Sequence, residues 1–510
     1  MDYQANYKVR KSSPLKQRCL YLNKIIGRRS ELQELEDAFS TKKAEMIVLY
    51  GRRRIGKTFL INEFFSKKTG IYFHVTGVQD GLLNEQLEEF TIAIGKVFYK
   101  GATIAKPNSW MKALGELNKA IENAPKTKKI ILFFDELPWM VTAKSRLLQA
   151  LDYHWNHYWS KNPSVKLIIC GSSASWIIKN IINNKAGLHN RYTRSLLIKP
   201  FSLQETRLYL HSKNIKLNNW QILQLYMVMG GIPHYLDKIK KGISATQIID
   251  YLCFNENGIL FSEFDKLFKS LFDDAKTYIE LIRLIAKTRE GVSRRYLEEK
   301  SQLSTKGGML SERLNNLELA GFIKSFLPLH HQRQGLYYRV IDEYSYFYLK
   351  WIEPEKQTLI KYDIHNNYWM NKATMATFQT WMGYAFESVC YKHISQIRKA
   401  LNIPTGAKVG AWRYAPKRGA PENGAQIDLL FERDDGTITL CEIKCTEMPF
   451  AIDKKYYQSL LNKMAVYQKV TRSIKQLFVA FISANGLKKT IYSEEIEPNL
   501  VVLEDLFKEQ

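Results

Sequence analysis

Three short stretches of this 510-residue sequence combine residue types and spacings that can do chemistry. The first is YGRRRIGKTF, which satisfies Gly-x4-Gly-Lys-[Ser/Thr] through Gly51, Gly56, Lys57 and Thr58. It follows the apolar run MIVLY and opens the helical stretch TFLINEFF, the context that a phosphate-binding loop requires. Glycines let the backbone N–H groups of Arg52, Arg53, Arg54 and Ile55 wrap a polyphosphate, and the helix N-terminus adds its dipole. Lys57 is then expected at the β- and γ-phosphates, and Thr58 at Mg2+.

The second stretch is KKIILFFDELPW. Its apolar run delivers Asp135 to the Mg2+ shell, and Glu136 follows directly, placed to polarise an attacking water. A second acid beside the metal acid points to hydrolysis, although an acid at a strand end also caps a helix. LIICGSS ends another apolar run in Ser172 and Ser173, where a hydroxyl, Ser172 first, is a candidate sensor of the γ-phosphate.

The third stretch is QIDLLFERDDGTITLCEIKC, two strand-like runs about a turn. Asp428 and Glu442 can meet across adjacent antiparallel strands. Two carboxylates about 4 Å apart repel by roughly 1–4 kcal/mol at surface-like dielectric, so the pair is favourable chiefly with a cation between them. Glu442 and Lys444 are two apart and share a strand face. Phosphodiester cleavage needs a divalent ion with a base or cation beside it, and Mg2+ prefers one or two carboxylates plus water and phosphate. Asp428, Glu442 and Lys444 supply that set; a plain charged hairpin is the alternative.

The elements that must position these groups follow from periodicity. EMIVLY, IILFF and VKLIIC are nearly all apolar, as strands buried on both faces are, and alternate with helical stretches to about residue 200. We read 1–20 as a basic arm, 21–200 as the P-loop core, 201–265 as a helical lid and 266–349 as a winged helix. Residues 350–375 read as an irregular linker, and 376–510 as a further α/β domain. In the winged-helix stretch Leu310, Leu314 and Leu317 fall on one helical face and Gly321 ends that helix. Arg294, Arg295, Lys306 and Arg313 are candidate phosphate contacts. Gly307 and Gly308 offer no base-reading side chain, which favours a lid or protein contact there.

Taken in order, IIGRRSELQELEDAF, the P-loop, FFDE, LIICGSSASW, GLHNRYTRSLLIKPFS and GGIPHYL resemble the archaeal-type ATPases, a branch related to the AAA+ and STAND signal-transduction ATPases. The resemblance spans about residues 22–345. It implies that Gly27 and Arg28 lie near the base and that Pro233 contacts the adenine side. It also implies that Arg191 takes an arginine-finger-like position. His189 and Asn190 replace the family's usual Tyr-Gly before that arginine, so Arg194 stays a rival. Residues 376–510 resemble, less specifically, the PD-(D/E)xK, restriction-endonuclease-like superfamily, with Ile427 in place of the usual proline. That resemblance places Glu387 of GYAFE as an assisting metal ligand. On the helix that follows the hairpin, Gln458 and Lys463 are candidate DNA contacts, with a solvated face as the favoured reading.

The net charge of +25 suits a polyanion, nucleic acid before an anionic membrane. No apolar run approaches the ~20 residues of a membrane span. The N-terminal stretch lacks a signal-like apolar region, and six scattered cysteines without CxxC suit reduced thiols in a cytoplasm. The sequence thus predicts a P-loop sheet with helical lid, winged helix and C-terminal restriction-endonuclease-like α/β domain. Its expected cofactors are ATP and Mg2+, with Mn2+ as an alternative at the C-terminal site. Its expected partners are nucleic acid, DNA first, and a protein partner or second copy. The rival reading is an ATP-driven signalling or transcription regulator with a non-catalytic nuclease-like fold.

Overall fold

The computed structural model describes residues 25–184, 188, 191–288, 291–301, 308–327, 329, 335–362, 367–416 and 424–509. The basic arm, His189, Asn190, Lys306 and Gly307 lie outside the described residues. The chain divides into two compact units. One takes the chain up to Gly51 with Gly56–Ser172 and Trp176–Ile198; the other takes Arg52–Ile55, Ser173–Ser175 and everything from Lys199.

The apolar runs of the first unit form β1 (Glu45–Tyr50), β2 (Ile71–Thr76), β3 (Ile130–Asp135), β4 (Val165–Gly171) and β5 (Arg194–Leu197). All pair in parallel, in the order β2-β3-β4-β1-β5. β3 and β4 are buried throughout, as expected of strands covered on both faces. One core layer joins Met46, Val48, Phe73 and Phe134 to Phe90 and Trp110 of the flanking helices, the last two edge-to-face at 5.3 Å. The order matters for function. β4 lies between the strand that feeds the P-loop and the strand that ends in Asp135, so Ser172 emerges beside both. Parallel sheets bind ligands at such carboxyl ends.

The second unit opens with helices Leu203–Ser212, Asn219–Met229, Ala245–Cys253, Glu263–Leu271 and Ala275–Ala286. Next come helices Arg294–Lys300 and Gly308–Leu319 with a small sheet of β6 (Val292–Ser293), β7 (Ile323–Phe326) and β8 (Tyr337–Val340), ordered β6-β8-β7. Leu310, Leu314 and Leu317 are buried, and Gly321 takes the left-handed backbone, φ 78°, that lets the helix end there. The described residues of 350–375 are mainly helical rather than an irregular linker. They carry helices Lys356–Tyr362 and Tyr368–Lys372, and Trp369 is fully buried, stacked on Phe254 at 5.1 Å. Its backbone N–H donates to Asp250 Oδ1. A large aromatic with a distant partner outweighs a polar local composition.

The chain ends on β9 (Lys408–Tyr414), β10 (Ala425–Glu432), β11 (Thr437–Lys444), β12 (Phe450–Ala451), β13 (Gln476–Ser483), β14 (Leu487–Lys488) and β15 (Asn499–Val502). The main sheet runs β15-β13-β11-β10-β9, with β9, β10 and β11 antiparallel and β11, β13 and β15 parallel. Helix Ala376–Lys392 buries Phe378, Trp381, Met382, Phe386 and Val389. Helix Lys454–Thr471 crosses from β12 to β13 and packs Val466 and Tyr467 against Ile427, Leu430, Ile438 and Leu440. Among the described residues no helix is long and apolar enough to cross a membrane.

Candidate functional site

At the first unit's P-loop, Gly51 and Gly56 have φ of 142° and 84°. A side chain at Gly56 would meet open space but a strained backbone, so glycine is required there for conformation. Lys57 begins helix Lys57–Phe65 and its Nζ donates to Gly51 O at 2.9 Å, folded over the loop that it would share with a phosphate. Thr58 Oγ1 donates to Asp135 Oδ2 at 2.8 Å. Burial pushes the Asp135 carboxyl up, but hydrogen bonds from His74, Thr58 and Cys170 outweigh it and hold the group below the ordinary carboxylate range. Those hydrogen bonds favour the ionised form of Asp135. An ionised carboxylate beside a hydroxyl fits a Mg2+ shell.

Glu136 leaves β3 in a left-handed conformation, φ 49°. That turn aims its carboxylate along the sheet edge, where Oε2 accepts from both Ser172 N and Ser172 Oγ at 2.9 Å. Ser172 thus holds the acid expected to orient water. Arg194 pairs with Glu34 and lies 3.9 Å from Glu45, whereas Arg191 is exposed.

In the second unit, segment Arg52–Ile55 meets two acids. Arg52 pairs with Asp342, both side chains buried, and lies over the Phe322 ring at 5.0 Å. Arg54 pairs with Glu263 at 2.5 Å, and Glu263 also accepts from Tyr235 OH. Pro233 starts the short helix Pro233–Leu236, whose His234 N donates to Arg54 O at 3.4 Å.

The second cluster sits on the C-terminal sheet. β10 and β11 pair Leu429 with Cys441, the residues next to Asp428 and Glu442, and the two carboxylates lie close enough for the Glu442 charge to act on Asp428. The β9–β10 pairing shifts by one residue between Ile427 and Leu430, an irregularity that spans Asp428 and Leu429. Asp428 is 9% exposed and Glu442 3%. Asp428 Oδ2 accepts from Ile443 N at 3.1 Å. Burial, then the Glu442 charge, push the Asp428 carboxyl above its usual range, and Lys444 opposes them. Glu442 is ringed by cations: Lys463 Nζ donates to Oε1 at 2.6 Å, and Lys444 Nζ stands 3.5 Å from Oε2. Tyr456 OH also donates to Oε2. Two buried, facing carboxylates fit one divalent cation whose remaining ligands are water and phosphate. No group of three or more His, Cys, Asp or Glu side chains forms a metal site among the described residues. Glu387 lines a cavity of about 30 Å³ with Arg339, Tyr346, Tyr384 and Ser388.

Residues 25–239 match a family described as an ATPase domain predominantly from Archaea. The chain carries this archaeal-type ATPase domain. An ATPase domain implies nucleotide binding, and Gly51, Gly56, Lys57, Thr58, Asp135, Glu136 and Ser172 all fall within the matched range. Residues 348–456 match a second family, described as archaeal and bacterial proteins of unknown function, and this range includes Asp428, Glu442 and Lys444. An uncharacterized protein of Methanocaldococcus jannaschii is 27% identical over 451 residues, 86% of this chain and 91% of its own length. An uncharacterized ATP-binding protein of that organism is 49% identical over 44 residues, 9% of this chain and 75% of its own. Among solved structures, the Walker-type ATPase of Pyrococcus abyssi is 20% identical and covers 64% of this chain and 96% of its own, with TM-score 0.45. The ORC2 protein of Aeropyrum pernix is 14% identical, covering 67% and 97%, with TM-score 0.40.

The structure brings Lys57, Thr58, Asp135, Glu136 and Ser172 together in the ATPase domain, and Asp428, Glu442 and Lys444 on the C-terminal sheet. Four residues at these clusters were not singled out from sequence. His74 Nε2 lies 3.8 Å from Asp135 Oδ2, Tyr456 binds Glu442, and Asp342 and Glu263 pair with the P-loop arginines. Lys463, expected on a solvated face, points instead at Glu442. Its signal was legible: Tyr456, Leu460, Lys463 and Tyr467 recur at helical spacing, a lysine within an otherwise apolar stripe.

Proposed function

We propose that the protein is an ATP-hydrolysing switch that governs a metal-dependent, nuclease-like site in its C-terminal domain, acting on nucleic acid, DNA first. In the ATPase domain Lys57 and the amides of residues 52–56 would bind the polyphosphate. Thr58 and Asp135 would hold Mg2+, and Glu136 would orient the attacking water once Ser172 releases it to do so. Arg191 is the proposed finger, and Pro233 the adenine contact. The segment 266–349 is read as a winged helix that works as a lid or contact surface. Arg313 is paired with Asp274, and Arg294 and Arg295 with Glu298 and Glu299 one turn away, which favours that role over duplex reading.

The observation that carries the nuclease-like reading is the convergence of Asp428, Glu442 and Lys444 in one buried cluster at a strand irregularity. Two facing acids are costly unless a cation joins them. Asp428 and Glu442 would hold the divalent ion, Mg2+ or Mn2+, which when bound stabilises the attacking and leaving oxygens. Lys444 would face the scissile phosphate. Glu387, one turn before the Tyr391 that binds the Asp428 backbone, would be an assisting ligand. Coupling to ATP is supported by contacts within the second unit: Arg52 with Asp342, the adjacent Glu343 with Lys392 at 2.7 Å, and Tyr391 OH with Asp428 O at 2.8 Å.

The deciding experiment incubates plasmid with Mg2+ or Mn2+, with and without ATP, using wild type, Lys444→Ala and Lys57→Ala. The reading expects cleavage by wild type, none by Lys444→Ala with ATPase activity kept, and no ATP response by Lys57→Ala. Equal cleavage by Lys444→Ala refutes the site. The rival reading, a regulator with a non-cleaving fold, is favoured by one observation: Glu442 is already satisfied by two lysines and a tyrosine. It predicts no cleavage by any form.

A further inference from the structure

We infer that Lys463 is an exchangeable counter-ion of the C-terminal site: it occupies Glu442 while no divalent cation is bound, and is displaced when one enters. The inference rests on the metal-dependent reading above and goes beyond it in assigning a second lysine from a different element. Three observations lead to it.

The first is placement. Helix Lys454–Thr471 starts from an Asp453 cap, whose side chain accepts from Tyr456 N, and buries Leu460 and Tyr467. Lys463 lies on that same stripe, so its ammonium is delivered to the sheet by the helix that packs there. The Lys463 side chain is 20% exposed and Glu442's is 4% exposed.

The second is geometry. Lys463 takes Glu442 Oε1, while Lys444 and Tyr456 share Oε2. Each Glu442 oxygen thus already faces a strong donor, and a divalent cation entering there meets an ammonium of like charge at close range, which favours that ammonium leaving. Of the two lysines, Lys463 is the one that comes from outside the hairpin. Lys444 is fixed two residues along the same strand, over the Tyr456 ring at 4.8 Å.

The third is charge balance. Asp428 and Glu442 set against Lys444 and Lys463 give a neutral cluster. A divalent cation added to this cluster makes it net positive, a state that an incoming phosphodiester then neutralises. Removing the Lys463 charge leaves one negative charge in excess and therefore favours the cation. A lysine that only clamps the fold predicts the reverse, because losing it would loosen the site.

The test is isothermal titration of the full chain with Mn2+ alone, without nucleotide, for wild type, Lys463→Met, Lys463→Arg and Asp428→Asn. Methionine keeps the apolar stem and removes the charge. The inference expects Lys463→Met to bind Mn2+ at least tenfold more tightly than wild type, and Lys463→Arg to stay within about threefold of it. ATPase activity should be unchanged in both. Unchanged or weaker Mn2+ binding by Lys463→Met, with binding lost in Asp428→Asn, overturns the exchange role and leaves the site assignment standing. An arginine variant that tightens as methionine does overturns it too, because charge would then not be the cause. Uptake that is the same in wild type, Lys463→Met and Asp428→Asn, or absent from all, overturns both this inference and the metal-dependent reading.

Discussion

Acidification should destabilise the second unit through one buried histidine, His393. Its ring is 1% exposed, Nδ1 lies 2.8 Å from Val389 O, and Nε2 lies 3.1 Å from the backbone nitrogen of Leu203. An amide N–H can only donate, so Nε2 must accept and the ring must be neutral, with its proton on Nδ1. Protonation would set two N–H groups against each other in a buried site. Burial accordingly pushes the group from 6.5 down to about 4. In the unfolded chain it titrates near 6.5, so between these values the unfolded state binds more protons. The stabilisation is complete above about pH 6.5, fades as pH falls, and is gone below about pH 4. The full difference is about 3 kcal/mol, and roughly 2 kcal/mol of it is lost by pH 5. Urea unfolding of wild type and His393→Gln, followed by tryptophan fluorescence between pH 7.5 and 5, isolates the effect from the carboxylates common to both. Wild type should lose about 2 kcal/mol more than the variant over that range. Parallel curves for the two proteins would refute the neutral, doubly bonded ring.

Three further outcomes follow from the geometry. Glu136→Gln should keep ATP binding and lose at least about a hundredfold in hydrolysis, the scale of a lost general base, measured by fluorescent-nucleotide titration beside phosphate release. Trp369→Ala should destabilise the second unit by about 3–5 kcal/mol, because it deletes a fully buried ring packed on Phe254 and Phe347; denaturant titration reads it. Asp342→Asn should cost about 3–5 kcal/mol in the same assay, since Arg52 would stay buried without its counter-charge, and Arg52→Met in that background should restore part of the loss.

What was legible in the sequence was what a contiguous pattern encodes. The P-loop announces itself because one loop must supply all the phosphate-binding amides, and β1, β3 and β4 because burial on both faces leaves no room for polar residues. Asp428, Glu442 and Lys444 were legible because a strand's period of two sets same-face neighbours by counting. The register shift between Ile427 and Leu430 was not, since it depends on the pairing of β9 against β10. Arg52 and Asp342 are 290 residues apart, and no local rule pairs them. Residues 350–375 were misread for a related reason. Local composition weighed polar residues equally with Trp369, whereas the fold is decided by the one large side chain that finds Phe254 and Phe347. Lys463 was misread by treating a lysine as solvent-facing before asking which stripe of the helix it occupies.

Contacts between neighbouring residues do not by themselves make a switch; an element with two near-balanced states does. The Arg52–Asp342 pair has the energetics for one. A buried ion pair roughly breaks even against the desolvation of its two charges, while either charge alone is strongly unfavourable. An arginine inside a phosphate-binding loop has a second possible anion, the nucleotide itself. On the proposed reading, transfer of Arg52 from carboxylate to phosphate would leave Asp342 uncompensated. Asp342 caps helix Glu343–Phe347 through Ser345, and Glu343 holds Lys392, one residue from the Tyr391 that binds the Asp428 backbone. The two anions compete for one cation, and on this reading the bound nucleotide must offset the roughly 3–5 kcal/mol that an uncompensated, buried Asp342 costs. That is the physical reason to look for ATP dependence at a carboxylate far along the chain from the P-loop.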